Sequence, residues 1–182
     1  EMNVKHLVLD KLIEVEEQLE PYKALRYAKD LVKMYDSMAN VTIYNKVAAR
    51  LRLGENFFYV DSLQHALEEE RKAYRMAMKA GDSNLLSYVR QNLASTFEEM
   101  GEKDSCLYYA RQAYDLTAAN RFSCLLTLAS AYISVDSINQ AFRLLKQTTP
   151  KTAEDRYSVF YIQSQAAMKA HDFKSAKSFS DS

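Results

Sequence analysis

Glycine and proline are scarce in this chain, three and two among 182 residues. An all-β sandwich or barrel needs more turn residues than that. Gly54, Gly81 and Gly101 also stand too far apart for a phosphate-cradling loop of the Rossmann or P-loop kind. Cys106 and Cys124 form no CxxC or Cys/His cluster, and among small and apolar neighbours they read as buried free thiols. Tryptophan is missing. His6, His65 and His171 are scattered, with no HExxH or similar pair to hold a metal. Net charge is missing too: 24 Lys and Arg balance 24 acids, 14 against 14 up to residue 90 and 10 against 10 after it. No basic half advertises nucleic acid or an anionic membrane. No apolar run approaches the roughly 18 residues of a membrane span. No secretory n-region and h-region pattern opens the chain, and Glu1 in place of Met raises the expectation of a processed or trimmed parent.

What the chain has in quantity is helical periodicity. Its length suits one large domain or two small ones. Leu63, Ala66, Leu67, Ala73, Tyr74, Ala77 and Met78 recur at helical spacing, as do Leu86, Val89, Leu93, Ala94, Phe97 and Met100. Neither set alternates as a strand would. Breaks fall at Glu20-Pro21, Met38–Asn40, Gly54–Asn56, Gly81–Ser83, Gly101-Glu102, Ala119-Asn120, Val135–Ser137, Thr149-Pro150 and Ala170–Asp172. Asp61-Ser62, Asp82-Ser83, Asp104-Ser105 and Asp136-Ser137 offer N-cap oxygens. The glycines suit the left-handed residue just past a helix end, and Pro21 suits a first turn. The expected fold class is all-α, about ten helices joined by turns short enough to pack neighbours antiparallel. Asn56 to Val60 reads as a loop whose aromatics pack inward.

A repeat underlies this pattern. Asn92–Phe97 aligns with Thr127–Tyr132 at a shift of 35, as do Cys106–Ala110 with Ala141–Leu145 and Ala141 with Ala176. Upstream, Ala73-Tyr74 matches Ala113-Tyr114 at 40, which places extra residues near Gly54–Tyr59. Small side chains at facing slots, Ala94 against Cys106 and Ala129 against Ala141, let helix backbones approach. Phe97, Tyr109 and Tyr132 fill the space between hairpins, and the 13 tyrosines can pack with hydroxyls at water. One hairpin cannot hide its apolar face alone, so hairpins stack.

The stretch Leu93-Ala94-x-x-Phe97-x-x-x-Gly101-x-x-x-x-Cys106-x-x-x-Ala110-x-x-Ala113 resembles the tetratricopeptide repeat (TPR). Leu128-Ala129-x-x-Tyr132 with Ala141 and Leu145, and Asp172-Phe173-x-x-Ala176, resemble it as well. The chain departs from that pattern in having Asp136 and His171 where Gly101 stands, and no closing proline apart from Pro150. The resemblance implies antiparallel helical hairpins stacked in a right-handed TPR-like superhelix. It implies a single repeat domain over 1–182, with a degenerate hairpin at 1–40 and repeats at 41–83, 84–120, 121–155 and 156–182, the last truncated.

The resemblance further implies that the first helix of each hairpin lines a concave, partner-binding face. At the matching positions stand Asn45 and Arg52, then Tyr88, Gln91, Ser95 and Glu98, then Leu126, Ser130 and Ile133, then Tyr161, Gln165 and Met168. Leu126, Ile133, Tyr161 and Met168 would form an apolar lining for an amphipathic helix or extended peptide, unless a further hairpin or the curl of the superhelix covers them. Gln91 and Ser95 replace the Lys and Asn with which some such domains clamp acidic chain ends, so that activity is not expected. Glu14, Glu16, Glu17 and Glu20, and Glu68, Glu69 and Glu70, read as solvated faces paired with Lys11, Lys23, Arg71 and Lys72 rather than as acid–base pairs. No Ser–His–Asp or Cys–His arrangement can be drawn.

The expected function is a non-catalytic scaffold for a protein or peptide, with no cofactor, no metal, no nucleic acid bound directly and no membrane span. It would be the sensory or docking part of a larger bacterial signalling or transcription regulator or envelope protein, cytoplasmic or periplasmic. The register stops inside the last hairpin, where Phe173, Ala176 and Phe179 make an apolar stripe. More repeats or an output domain are therefore expected beyond Ser182. That stripe supports an alternative, homodimerisation through the C-terminal hairpin. A helical small-ligand binder or enzyme is the third reading.

Overall fold

A computed structural model describes residues 2–116 and 121–180. Among the described residues there are ten helices and no strand. They are α1 (Met2–Leu19), α2 (Pro21–Ser37), α3 (Ile43–Tyr59), α4 (Leu63–Ala80), α5 (Ser83–Glu99), α6 (Lys103–Leu116), α7 (Arg121–Ser134), α8 (Ile138–Leu145), α9 (Ala153–Lys169) and α10 (Phe173–Ser180). Each odd-numbered helix folds back on the next, giving five hairpins. In addition α3, α5, α7 and α9 lie side by side, so these first helices form one face of the stack. The expected break at Ala119-Asn120 lies outside the described residues.

One backbone motif ends the first helix of four hairpins. Asp61, Gly101, Asp136 and His171 are all left-handed, with φ of 57°, 73°, 61° and 59°. Each donates its amide to the carbonyl three residues back, and the next residue donates to the carbonyl five back: Gly101 to Glu98 at 3.0 Å and Glu102 to Phe97 at 2.9 Å, for example. These are the paired bonds of a Schellman cap. They recur at intervals of 40, 35 and 35 residues, the spacings read from the apolar pattern. Asp and His tolerate this conformation better than most residues with a Cβ. The backbone geometry thus recurs where the glycine does not.

The same motif revises several cap assignments. Asp82 does cap α5, accepting the Leu85 amide at 3.0 Å. Ser62 and Ser137 sit at N-cap positions without a side-chain cap bond. Asp104 lies inside the first turn of α6. Pro21 opens α2 as expected.

The loop expected at Asn56–Val60 is absent: α3 runs unbroken to Tyr59. Gly54 is not a helix end but a contact point. A Cβ there would stand 3.3 Å from Glu70 Cγ and 3.4 Å from the Ala66 carbonyl oxygen, so the missing side chain lets α3 and α4 close together. Asn56 is likewise internal, donating to the Arg52 carbonyl at 2.8 Å and to Glu17 Oε1 at 3.1 Å.

Two apolar clusters share α3. Val47 and Leu51 face the larger, which runs through Leu67, Val89, Leu93, Phe97, Leu128 and Leu145 to Val159. Ala49 and Leu53 face the smaller, built on Ile13, Leu25, Ala28 and Leu31 of the first hairpin. Ala94, Cys106, Ala129 and Ala141 are fully buried at the slots where small residues were expected to face each other. Phe97 stacks on Tyr109 at 5.5 Å, and Tyr74 of the preceding hairpin meets Tyr109 edge-on at 6.3 Å.

The glutamate runs are not simply solvated. Glu14 is exposed beside Lys11, but Glu16, Glu69 and Glu70 are buried. Glu69 is bridged by Arg50 of α3 at 2.8 Å and by Lys72 at 2.5 Å, not by Arg71. Glu70 accepts a hydrogen bond from Thr96 Oγ1 at 2.7 Å, while its other oxygen is buried without a partner among the described residues. Burial pushes its carboxyl up to about 7.

Candidate functional site

The positions expected to form one concave lining fall into three zones. Asn45 and Arg52 on α3 and Tyr88 on α5 come together in a groove of about 740 Å³. His6 and Asp10 of α1, Tyr35 of α2, Tyr44, Ala48 and Glu55 of α3, Asn84 of α5 and Asp82 at its N-cap are also in its walls. Tyr44 and Tyr88 are 60% and 51% exposed, a large aromatic area for a surface facing water. Burial raises the Glu55 carboxyl above the usual range, with Arg52 opposing and Glu17 adding to the rise. Burial likewise raises the Tyr88 phenol, helped by Glu55.

Glu55 was within reach of sequence reasoning, since it continues the register of Asn45, Ala48 and Arg52 at helical spacing. Asn84 lies one turn before Tyr88. His6 and Asp10 were not within reach, because residues 1–40 gave a hairpin but no register for its inward face.

The middle zone is closed. Gln91 Nε2 donates to Ser123 Oγ and, at 3.3 Å, to Thr127 Oγ1. Ser130 Oγ donates to Glu98 Oε1 at 2.5 Å. Burial raises the Glu98 carboxyl, and that bond opposes the rise. Ser95 is exposed, its hydroxyl bonded back to the Gln91 carbonyl at 3.3 Å. Leu126 is half-buried against the large core and Ile133 is buried. The expected apolar lining therefore fails at Ile133 and is half covered at Leu126, because α5 and α7 touch along this seam.

The third zone is open. Tyr161 and Met168 on α9 are 54% and 53% exposed, and Gln165 is exposed between them. Tyr161 stacks on Tyr157 at 6.3 Å beside a smaller groove of about 340 Å³ that Arg156, Phe160, Gln165 and Phe179 help to line. Phe179 also packs toward Phe142 at 6.5 Å. The side chains of Phe173 and Ala176, the rest of the expected apolar stripe, lie outside the described residues.

The two thiols lie beneath the middle zone, where Cys124 Sγ donates to Gln91 Oε1 at 3.6 Å. Cys106 and Cys124 are free and fully buried. Burial pushes the Cys106 thiol up to about 12 and raises that of Cys124, so neither supplies a thiolate. His65 stacks on Phe57 at 5.1 Å and shares a hydrogen bond with Ser62. Among the described residues, no group of three or more His, Cys, Asp or Glu side chains is placed to hold a metal ion. No helix there is long and apolar enough to cross a membrane.

No family model and no curated protein matches the chain. Solved structures do. It is similar to a kinesin light chain from Podosopora anserina described as nearly identical TPR-like repeats, at 14% identity over 99% of this chain and 92% of that one, with a TM-score of 0.73. It is similar to the apo form of RapI, at 14% identity over 96% of this chain and 67% of that one, TM-score 0.81. It is also similar to aspartyl phosphate phosphatase F from Bacillus subtilis, at 15% identity over the whole of this chain and 50% of that one, TM-score 0.81. At these identities the fold is what is shared. The chain is an all-α, TPR-like helical solenoid.

Proposed function

We propose that this chain is a non-catalytic scaffold that binds a protein or peptide on the face formed by its first helices. The observation that carries this reading is the groove of about 740 Å³ between α1, α3 and α5, with Tyr44 and Tyr88 exposed on its walls. Its size is in the range of specific binding clefts, and rigid tyrosines give contact area at little entropic cost. The TPR-like solenoid supports the reading, since stacked repeats present extended inner surfaces. On this reading the chain is one repeat domain, a first hairpin followed by four repeats. It serves as the docking or sensory part of a signalling protein.

Selecting peptides from a displayed library against the chain, then titrating them into variants, tests this. Peptides are expected to lose at least about tenfold in affinity with Tyr88→Glu and to keep it with Tyr108→Glu, an equally exposed tyrosine on the second helix α6. Equal affinity for both variants rejects the inner face. A second reading, homodimerisation through the last hairpin, is favoured by the exposed Tyr157–Tyr161 stack. Light scattering that shows a strict monomer at high concentration removes it.

A further inference from the structure

Among the carboxylates of the first hairpins and the adjoining turn, Asp30, Asp61, Glu68 and Glu70 form no ion pair among the described residues and lie outside the groove. Glu14, Glu16, Glu17, Glu20, Asp36 and Glu69 each form an ion pair with a Lys or Arg. Those that line the groove do not: none of Asp10, Glu55 and Asp82 has an ion-pair partner among the described residues, and Asp82 bonds only the Leu85 amide. Arg52, the guanidinium in the groove wall, has its own partners. It stands 3.6 Å from Glu17, outside the lining, and donates to the Asp10 carbonyl at 3.4 Å. The groove walls thus hold three carboxylates, Asp10, Glu55 and Asp82, against the Arg52 guanidinium, which is shared with Glu17, and the His6 ring. Burial keeps the Glu55 carboxyl partly desolvated, a cost that an incoming cation offsets. Tyr44 and Tyr88 in the same walls offer ring faces of the kind that attract ammonium and guanidinium groups.

We infer that the groove between α1, α3 and α5 takes a basic peptide segment, its Lys or Arg side chains set along the groove against Asp10, Glu55 and Asp82 and against the rings of Tyr44 and Tyr88. This rests on the inner-face reading above and adds the charge of the partner. The groove spans walls from three hairpins and exceeds one side chain in size, and Asn45 in its wall carries an amide of the kind that bonds a peptide backbone. Those features favour a peptide over a lone amine.

Fluorescence anisotropy of the full chain with fluorescein-labelled oligoarginine, and with its isosteric neutral counterpart oligocitrulline, tests the inference. Oligoarginine is expected to bind, and oligocitrulline at least about tenfold more weakly. The double variant Asp10→Asn/Glu55→Gln is expected to lose a similar factor, while Glu68→Gln/Glu102→Gln, exposed and outside the groove, loses none. The single variant Glu55→Gln replaces the double one if a thermal melt shows the double unfolded. Equal binding of the two peptides, an equal loss in the control pair, or no binding of oligoarginine overturns the inference. Spermine displacing the peptide at lower concentration overturns it in favour of a small polycation. A neutral peptide that binds and is lost on Tyr88→Glu leaves the inner-face reading standing and removes only the charge.

Discussion

The two ends of this solenoid are held together by different chemistry. Around α1–α4, ion pairs reach between helices: Arg50 of α3 joins Asp36 of α2 and Glu69 of α4, and Lys23 of α2 holds Glu16 of α1. From α5 onward the seams are made by hydrogen bonds and rings instead, as in Gln91 to Ser123 and Thr127, Ser130 to Glu98, and Phe97 on Tyr109. The one ion pair found there among the described residues links Lys169 to Asp136. The cores differ too, a small one under the first hairpin and a long one from α3 to α9. A charged seam tolerates water and leaves room for an open groove. The hydrogen-bonded seam between α5 and α7 closes the inner face there. The difference teaches that one repeat geometry carries two kinds of surface.

The sharpest way to break this comparison is to empty each core. Ile13 and Leu93 are 0% and 1% exposed. Replacing either by Ala is expected to cost about 2–5 kcal/mol. In hydrogen exchange, Leu93→Ala should lower protection from α3 to α9, whereas Ile13→Ala should lower it in α1 and α2 and spare α7. Equal spread from both variants would merge the two cores into one cooperative unit.

Next in size is the carboxylic acid at the junction of the two regions. Glu70 titrates near 7 in the folded chain against 4.5 as a free group. Its folded value lies above its unfolded one, so its stabilising protonation is fully present below about pH 4.5. It is lost as pH rises through about 7, a change of about 3 kcal/mol. Glu55 and Glu98, also raised by burial, push in the same direction. Urea titrations between pH 5 and 8 should show stability falling, and Glu70→Gln should flatten most of that slope. An unchanged slope in the variant assigns the effect elsewhere.

The smallest expected effect concerns the turns. Asp136→Gly and His171→Gly should each stabilise the chain by up to about 1 kcal/mol, because a left-handed residue with a Cβ carries strain that glycine lacks. Gly101→Ala should destabilise by a similar amount. Thermal melts of the three variants decide it, and a loss at Asp136 would mean that its Lys169 contact outweighs the backbone.

How much of this was legible differs with the kind of feature. The small slots at Ala94, Cys106, Ala129 and Ala141 were readable because burial of a small side chain is encoded at a fixed spacing. The left-handed turns at Asp136 and His171 could be placed by register, although no glycine marks them. Gly54 misled, since glycine signals a helix end and a close approach equally well, and only the neighbouring Glu70 separates the two. The inner face was legible as a set of positions but not as a surface. Whether Ile133 is covered or Tyr161 is open depends on how tightly adjacent hairpins meet, which no single repeat records.

The sealed thiols have a practical consequence. With both native sulfurs buried, and that of Cys106 protonated far above neutrality, a reporter dye can be attached to one introduced cysteine without first removing the native ones. Tyr161→Cys would give a single reactive handle on one open zone and Asn45→Cys a handle on the other. Each region could then be watched separately while a partner is added.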